Sequence, residues 1–180
     1  MAKKKTIPQL PEPVGQIRLD DNLRKWGNGT IPESQLAKIH GGGRLYKPAA
    51  IAFNKMWEDA KKENITLLGV SEGYRSLKAQ EALFFRRYSK MPTSRIPSVT
   101  RTYLGKKWYL KRGMSPSATP ATSPHGWGLA QDINVQDPKV FTWLCNNAPK
   151  YGFYLQGRKY LPNGKKNPEY EAWHWQFCNL

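Results

Sequence analysis

The sequence has little of several features that would place it in a common class of proteins. Only 2 of its 180 residues are cysteine, too few for the disulfide framework of a small secreted domain. No apolar run approaches the roughly 18 residues that a membrane-spanning helix requires. Prolines and polar residues follow the basic start, so we expect no apolar secretory leader. We therefore expect synthesis in the cytoplasm and no membrane span, with Cys145 and Cys178 as buried free thiols.

Acidic residues are also scarce, and their distribution is uneven. The chain has 13 acidic and 29 basic residues, which gives a formal net charge of +16. No acidic residue lies between Ala82 and Gln131. The basic residues of this stretch are Arg86, Arg87, Lys90, Arg95, Arg101, Lys106, Lys107, Lys111 and Arg112. A positive field of this kind attracts polyanions, either nucleic acid or the anionic polymers of a bacterial envelope.

The alternation of apolar and turn-forming residues predicts one domain of the α+β class, with a small antiparallel sheet flanked by helices. Residues 1–44 are rich in proline, glycine and asparagine, and we expect them to form an irregular arm on a domain of residues 45–180. The predicted helices are 48–64, 77–90 and 137–152, and the predicted strands are 65–70, 129–135, 153–156 and 171–177. Residues 91–122 are expected to form a long loop or a short hairpin.

The stretch SPHGWGLAQDINV, residues 123–135, combines a histidine, two glycines and an aspartate. A catalytic zinc site has three protein ligands and an open fourth position for water. His125 and Asp132 fit the close pair of such ligands, because the glycines between them let the chain turn. His174, in the last predicted strand, fits the distant third ligand. The competing interpretation is a structural turn with an incidental imidazole, together with a buried core histidine at 174.

Two further residues bear on this hypothesis. Glu171 lies three positions before His174, so strict alternation along a strand would turn its carboxylate away from the metal. It can act as a general base only if it lies in the loop before the strand or at a bulge. His40 precedes three glycines and has no carboxylate close by in sequence, so we interpret it as a surface residue.

Three elements of the chain resemble one peptidase family, in the order that the family has them. GYRSLKAQ is similar to a Tyr-Arg-Ser-x-x-x-Gln element, SPHGWGLAQD to Ser-x-His-x-x-Gly-x-Ala-x-Asp, and EAWHW to Glu-x-Trp-His-Trp. The family is that of the VanY-like zinc D-alanyl-D-alanine carboxypeptidases. Phage L-alanyl-D-glutamate endolysins and the hedgehog signalling domain share its fold. The resemblance covers residues 45–178 and departs at Gln131, where many relatives have an apolar residue.

The resemblance implies a role for each matched position. The sheet would carry a zinc ion (Zn2+), with the ligands His125, Asp132 and His174. Glu171 would be the catalytic base, and Arg75 would be the cation that faces the scissile carbonyl. The substrate-binding residues would be Ser123, Tyr74 and Gln80, the last of which would also support the loop of Arg75.

The implied function is a zinc metallopeptidase that hydrolyses the stem peptides of bacterial peptidoglycan. The sequence is compatible with both carboxypeptidase and endopeptidase activity. The 91–122 loop could bind the terminal carboxylate that a carboxypeptidase recognises, or border the open groove that an endopeptidase needs. We expect a bacteriophage protein, either an endolysin that passes from the host cytoplasm through a holin, or a virion-borne enzyme contacting tail or baseplate proteins. The alternatives are a structural baseplate component that retains the fold, and a nucleic-acid-binding protein. The latter has only charge and interleaved aromatic residues in its favour.

Overall fold

Helices and short strands alternate along the chain. The computed structural model describes residues 12–71, 73–93 and 99–179. The helices are α1 (Asp21–Trp26), α2 (Lys47–Lys62), α3 (Leu77–Arg87) and α4 (Pro138–Asn147). The strands are β1 (Leu36–Lys38), β2 (Arg44–Tyr46), β3 (Tyr88–Ser89), β4 (Thr100–Tyr103), β5 (Lys106–Leu110), β6 (Ala130–Asp132), β7 (Phe153–Leu155) and β8 (His174–Phe177). Short 3-10 helices span Glu33–Gln35, Pro124–Trp127 and Ala148–Tyr151. In these described residues, no helix is long and apolar enough to cross a membrane.

The helices begin where the sequence places helix-capping residues. Ser76 Oγ accepts a hydrogen bond from the Ala79 amide at the start of α3 (3.3 Å), and the Asp137 carboxylate caps α4. Proline occupies the first turn of both α2 and α4, where its missing N–H costs nothing. The three predicted helices are confirmed. α3 ends earlier than predicted because Tyr88 leaves it to pair with Leu110 in a strand.

Within the part of the chain that the structure describes, three small antiparallel sheets form the rest of the framework, with the strand orders β1-β2, β3-β5-β4 and β6-β8-β7. The predicted α+β class with a small antiparallel sheet is therefore confirmed. The third sheet has β8 at its centre, and its register sets Asp132 opposite His174. All four residues of β8 are buried, so both faces of this strand are covered. Residues 100–110 form the β4–β5 hairpin, one of the two structures predicted for 91–122, while residues 94–98 lie outside the described residues.

Two hydrophobic cores support these sheets. In the main core, Phe53 of α2 meets Phe153 of β7 edge to face, with ring centroids 5.7 Å apart. Helix α4 covers the same sheet, because its Phe141 ring contacts Trp175 of β8. The second core lies beneath the β3-β5-β4 sheet and consists of Phe84, Tyr88, Trp108 and Leu110. The predicted burial of both free cysteines is confirmed.

The segment 65–70 differs from the buried strand that its apolar run predicts. It forms a single bridge, between Gly69 and Ile133, at the edge of the third sheet. Leu67 is fully buried, but Leu68 and Val70 are 51% and 58% exposed. The segment lies at the edge of the third sheet and leaves it after residue 70. Its side chains therefore alternate between buried and exposed. The prediction of a buried strand here was wrong.

The N-terminal section is more regular than the predicted irregular arm. It contains α1, which Asp20 caps, and the β1–β2 hairpin, while residues 1–11 lie outside the described residues. Residues 13–15 also run parallel to β7: the Gly15 amide donates to the Leu155 carbonyl (3.1 Å), and the Leu155 amide donates to Pro13 (2.8 Å). The three consecutive glycines of this section, Gly41 to Gly43, lie at the turn between β1 and β2 and do not interrupt either strand. We refer to residues 12–44 as the arm.

Candidate active site

Three side chains from distant parts of the sequence meet at one end of the third sheet. A nitrogen of His125, a nitrogen of His174 and a carboxylate oxygen of Asp132 all lie within 4.8 Å of one another. Asp132 Oδ1 is 3.3 Å from His125 Nε2 and 3.0 Å from His174 Nδ1. Both histidines are buried, at 5% and 3% exposure. The structure therefore brings together the three ligands predicted from the sequence, in a group that could hold a metal ion.

Strand pairing and one tight turn place these side chains. Asp132 ends β6 and His174 begins β8, and the two residues are directly opposite in the register. His125 lies in the 3-10 helix Pro124–Trp127, which ends at Gly128 with a left-handed φ of +62°. A Cβ at position 128 would lie 2.8 Å from the backbone nitrogen of Tyr46. Glycine is thus required here both by conformation and by space.

A backbone carbonyl orients the His125 ring. His125 Nδ1 is 2.7 Å from the carbonyl oxygen of Gly73, so the proton of the neutral ring belongs on Nδ1 and the lone pair of Nε2 faces Asp132. In return, the Arg75 amide donates to the His125 carbonyl (3.0 Å). The fully buried Gln131 also binds this turn, because its Nε2 donates to the Ser71 carbonyl (3.1 Å). Gln131 thus makes a polar contact with the turn that orients His125.

The charge of Asp132 is stabilised by its two neighbours. Burial on its own would raise the pKa of this carboxyl, but hydrogen bonds and Coulomb attraction from His125 and His174 hold the pKa well below its usual range. Asp132 is therefore an anion, facing two imidazole nitrogens. His174 faces the group through Nδ1, which lies 3.0 Å from Asp132 Oδ1, whereas its Nε2 is buried without a partner in the described chain. Two imidazoles and a carboxylate fit a divalent transition metal.

Glu171 lies in the turn that precedes β8, the position that the sequence analysis requires of a general base. Its carbonyl accepts a hydrogen bond from the His174 amide (3.1 Å), and its carboxylate interacts electrostatically with His174, Asp132, Arg75 and Arg87. Although Glu171 is exposed as a residue, the surrounding protein removes water from its carboxyl and raises its pKa. A carboxylate thus lies beside the metal-binding group without belonging to it.

Helix α3 holds a guanidinium on the same side of the site. Arg75 Nη1 donates to Gln80 Oε1 (2.9 Å), and Gln80 Nε2 donates to the Ala118 carbonyl (2.9 Å). Gln80 is 2% exposed, so this amide is fixed. The pair restricts the orientation of Arg75 close to Glu171 and joins it to the segment that leads into Ser123.

Comparison with known proteins assigns the chain to a family. Residues 42–180 match the VanY family of D-alanyl-D-alanine carboxypeptidases. The chain belongs to this family. The Bacillus subtilis (strain 168) protein YodJ, named as a proposed carboxypeptidase, is 30% identical over 144 residues, which cover 74% of this chain and 46% of that protein. The D-alanyl-D-alanine carboxypeptidase of Enterococcus faecalis (strain ATCC 700802 / V583) is 23% identical over 156 residues, 81% of this chain and 53% of that protein. The chain thus spans about half the length of these curated relatives.

Solved structures share the fold. The LD-carboxypeptidase LdcB superposes with a TM-score of 0.54 at 26% identity, over 83% of this chain and 70% of that chain. VanYB in complex with D-alanine-D-alanine gives 0.53 at 22% identity, over 83% and 81%. A VanY D,D-pentapeptidase variant in complex with Zn(II) gives 0.50 at 20% identity, over 83% of each chain. The VanY fold therefore covers most of the chain.

The remaining predicted site residues are buried. Tyr74 is 8% exposed within the main core, and its amide donates to the Arg44 carbonyl (2.7 Å). Ser123 is 3% exposed and directly precedes the 3-10 helix of His125. The structure places Ser123 directly before the turn that carries His125 and gives Tyr74 a packing role. Their contact with substrate stays a prediction.

The position of Arg87 beside the site was not predicted from the sequence, in which Arg87 is only one residue of the basic stretch. Arg87 Nη1 donates to the Pro116 carbonyl (2.8 Å), and its guanidinium interacts with Arg75 and Glu171. Burial, with repulsion from Arg86 and Arg75, lowers the pKa of Arg87. A signal was present, because residues 80 and 87 are seven positions apart and share one face of a helix. Arg87 is a second guanidinium on the side of the site where Arg75 lies.

The arm also contacts the residues around His125, and this contact was not predicted from the sequence. The buried Asn28 donates through Nδ2 to the Ser123 carbonyl (2.8 Å), and the Gly29 amide donates to the Gly126 carbonyl (2.7 Å). A Cβ at position 126 would overlap Asn28 Oδ1. The space between the arm and the His125 turn is therefore filled.

Gly126→Ala should lower the free energy of unfolding by about 1–3 kcal/mol, because the new methyl group overlaps Asn28 Oδ1. In an Asn28→Ala background, Gly126→Ala should lower the free energy of unfolding much less. The coupling energy between the two substitutions should be roughly 0.5–3 kcal/mol. Urea denaturation of the four proteins of this cycle measures the coupling, with Gly157→Ala as a milder control, because its Cβ would meet only the side-chain amide of Asn167, at 3.3 Å. Equal losses in both backgrounds would contradict the contact.

Proposed function

We propose that the protein is a zinc-dependent peptidase that hydrolyses peptidoglycan stem peptides. The observation that carries this proposal is the convergence of His125, Asp132 and His174 beside the carboxylate of Glu171. Membership of the VanY family supports the substrate class. The Zn(II) and D-alanine-D-alanine complexes of two neighbours in fold support the metal and the kind of substrate.

The ligands of the metal would be His125 Nε2, the Asp132 carboxylate and His174 Nδ1. When bound, zinc supplies a water of nearly neutral pKa and a Lewis acid that polarises the amide carbonyl. The same set of two histidines and a carboxylate also occurs in iron(II) sites, so the identity of the metal needs its own test.

Glu171 is placed to move the proton. Its carboxylate accepts a proton from the attacking water and later delivers it to the leaving amine. The raised pKa of Glu171 makes this carboxylate a stronger base than an ordinary glutamate. As the carbonyl oxygen gains negative charge, the guanidinium of Arg75, oriented by Gln80, stabilises that charge more than it stabilises the substrate.

The two arginines favour carboxypeptidase over endopeptidase activity. Arg75 and Arg87 both interact with the single carboxylate of Glu171, so Arg87 adds a second positive charge to the one that faces the carbonyl oxygen and favours an anionic group of the substrate. A carboxypeptidase must bind the terminal carboxylate of its substrate, and a guanidinium is suited to that because it offers paired donors. We therefore propose that the enzyme removes a terminal amino acid from the stem peptide.

The decisive experiment uses defined stem peptides with a free terminal D-alanine, together with purified cell walls, and identifies the released fragments by mass. A carboxypeptidase releases one terminal amino acid and leaves the walls insoluble. An endopeptidase releases internal fragments and solubilises the walls. Absence of any product from peptides and walls with the zinc-loaded protein would overturn the proposed function.

The finer proposal concerns the setting in which the enzyme acts. We propose a bacteriophage wall-degrading enzyme, either an endolysin released through a holin or a virion-borne peptidase in contact with tail or baseplate proteins. The net charge of +16 supports action on an anionic bacterial wall. A structural baseplate component is the second candidate, and the presence of both the ligand group and Glu171 favours the enzyme.

The surface that we propose for wall binding is the β4–β5 hairpin. Lys106 and Lys107 are exposed at its turn, and Lys107 Nζ lies 5.6 Å from the centre of the Tyr109 ring. Lys90 lies above Trp108 in the same sheet, 5.8 Å from its centre. Lys90 and Lys107 are thus held on aromatic rings and, like Lys106, are exposed to solvent, where they suit an anionic envelope polymer.

Zinc removal should abolish hydrolysis, and the addition of one equivalent of zinc should restore it, because the open metal position supplies the reacting water. His125→Ala and His174→Ala should lose zinc binding in equilibrium dialysis, whereas His40→Ala, an exposed histidine beside Glu58, should keep it. Full activity of the metal-free protein, or restoration by iron(II) alone, would contradict the zinc assignment.

Glu171→Ala should retain the zinc ion and lose turnover by about 10²–10⁴-fold, because a base and not a ligand is removed. Zinc content and kcat are measured on the same preparation. Loss of the metal from Glu171→Ala, with retention in His174→Ala, would reverse the roles assigned to these two residues.

Replacement of Lys106, Lys107 and Arg112 by glutamine should weaken binding to purified walls and reduce its salt dependence. Exposed charges act over about 8 Å at physiological ionic strength, so turnover of a soluble stem peptide should change by less than about twofold. The combined replacement of Lys47, Lys55 and Lys61 on α2 by glutamine removes the same number of charges, is the matched control and should leave wall binding unchanged. Equal losses of wall binding and peptide turnover would contradict the steering role. Tight, salt-sensitive DNA binding would favour the nucleic-acid hypothesis.

A further inference from the structure

The first described residues of the arm are fixed on the sheet that carries the metal-binding group. Residues 13–15 pair with β7 through the two backbone hydrogen bonds with Leu155. Gln176 of the central strand β8 also donates to the Gly15 carbonyl, at 2.8 Å. This pairing brings the preceding residue, Glu12, to the long loop between β7 and β8.

The Glu12 carboxylate binds both ends of that loop. One oxygen accepts a hydrogen bond from the Tyr170 hydroxyl (2.7 Å), and the other accepts one from the Lys159 amide (2.8 Å). Glu12 and Tyr170 are 158 positions apart in the sequence. A single side chain of the arm therefore closes the loop from 159 to 170.

Tyr170 is the residue directly before Glu171. Its ring packs against the main hydrophobic core, while its hydroxyl is held by Glu12. On the other side of Glu171, the His174 amide donates to the Glu171 carbonyl, and Trp175 Nε1 donates to the Ala172 carbonyl, each at 3.1 Å. The exposed Glu171 thus lies in a turn that is anchored by β8 on one side and by Tyr170 on the other.

We propose that Glu12 is a positioning residue, which acts through Tyr170 to fix the turn that presents the Glu171 carboxylate to the metal-binding group. The inference rests on the proposed function, in which Glu171 is the base. The VanY match begins at residue 42, so the arm supplies this anchor from outside the family match. A catalytic group must be held within about 0.5 Å of its working position, and a displacement of about 1 Å can cost roughly 10²-fold in rate.

The test compares Glu12→Ala, Glu12→Gln and Tyr170→Phe with the wild-type protein. Glu12→Ala and Tyr170→Phe should lower kcat by roughly 10- to 100-fold, with KM changed less than about threefold and zinc content unchanged, because the base is displaced while substrate and metal contacts remain. Glu12→Gln should be intermediate, since its amide oxygen still accepts from Tyr170 but its amide nitrogen cannot accept from Lys159. The combined Glu12→Ala/Tyr170→Phe protein should be no slower than the slower single variant.

Tyr151→Phe is the matched control. The Tyr151 hydroxyl donates to the Asp59 carboxylate (2.8 Å) and its ring also packs on the main core, but nothing links it to Glu171 in the described structure. It should lose stability as Tyr170→Phe does and keep its kcat. Backbone hydrogen exchange of residues 170–173, measured by mass spectrometry, gives a second readout. Exchange should accelerate in Glu12→Ala and Tyr170→Phe and stay unchanged in Tyr151→Phe.

Two results would overturn the inference: a kcat loss in Tyr170→Phe no larger than in Tyr151→Phe, or unchanged exchange of 170–173 in Glu12→Ala. If the wild-type protein cleaves no stem peptide, the proposed function fails separately. Hydrogen exchange then still decides whether Glu12 anchors the turn.

Discussion

The register between β6 and β8 is the constraint on which the site depends. It sets Asp132 opposite His174, with 3.0 Å between the carboxylate oxygen and the ring nitrogen. A shift of β8 by one residue would turn His174 to the opposite face of the sheet, away from Asp132. The core face of the sheet, where Trp175 is fully buried, prevents that shift. Hydrophobic packing on one face therefore fixes a polar group on the other.

Two backbone turns complete the group around this pair. In the turn at Gly73, the Gly73 carbonyl accepts a hydrogen bond from His125 Nδ1. The Arg75 amide in turn donates to the His125 carbonyl, which holds Arg75 next to the site. The turn before β8 carries Glu171. Each turn is braced by contacts that are remote in sequence: Gln131 beneath the first, and Glu12 through Tyr170 beside the second. Rigid elements thus hold loops that would otherwise be free to move.

Local signals in the sequence were sufficient for much of this arrangement. Ser76 and Asp137 cap helices where predicted, because capping depends on neighbouring residues alone. The metal-binding group was also predicted, since the motif around His125 and the Trp-flanked His174 have distinctive local patterns. The condition set for Glu171 is met, because β8 begins only at His174.

The contacts that were missed join residues far apart in the chain. Asn28 meets Ser123 over 95 positions, and Glu12 meets Tyr170 over 158. No local pattern encodes such pairs, so the arm was predicted as irregular although β7 provides it with a pairing edge. The prediction of a buried strand for residues 65–70 was wrong for a related reason. An apolar run does not reveal whether the protein buries one face of the segment or both.

The central claim is that His125, Asp132 and His174 bind one zinc ion beside Glu171. A crystal structure of the zinc-loaded protein, with anomalous differences measured at the zinc absorption edge, tests it most directly. The account predicts one strong peak, with His125 Nε2, a carboxylate oxygen of Asp132 and His174 Nδ1 each at about 2.0–2.2 Å, and Glu171 outside bonding distance. A zinc peak elsewhere, or one bound directly by Glu171 in place of any of the three, would contradict it.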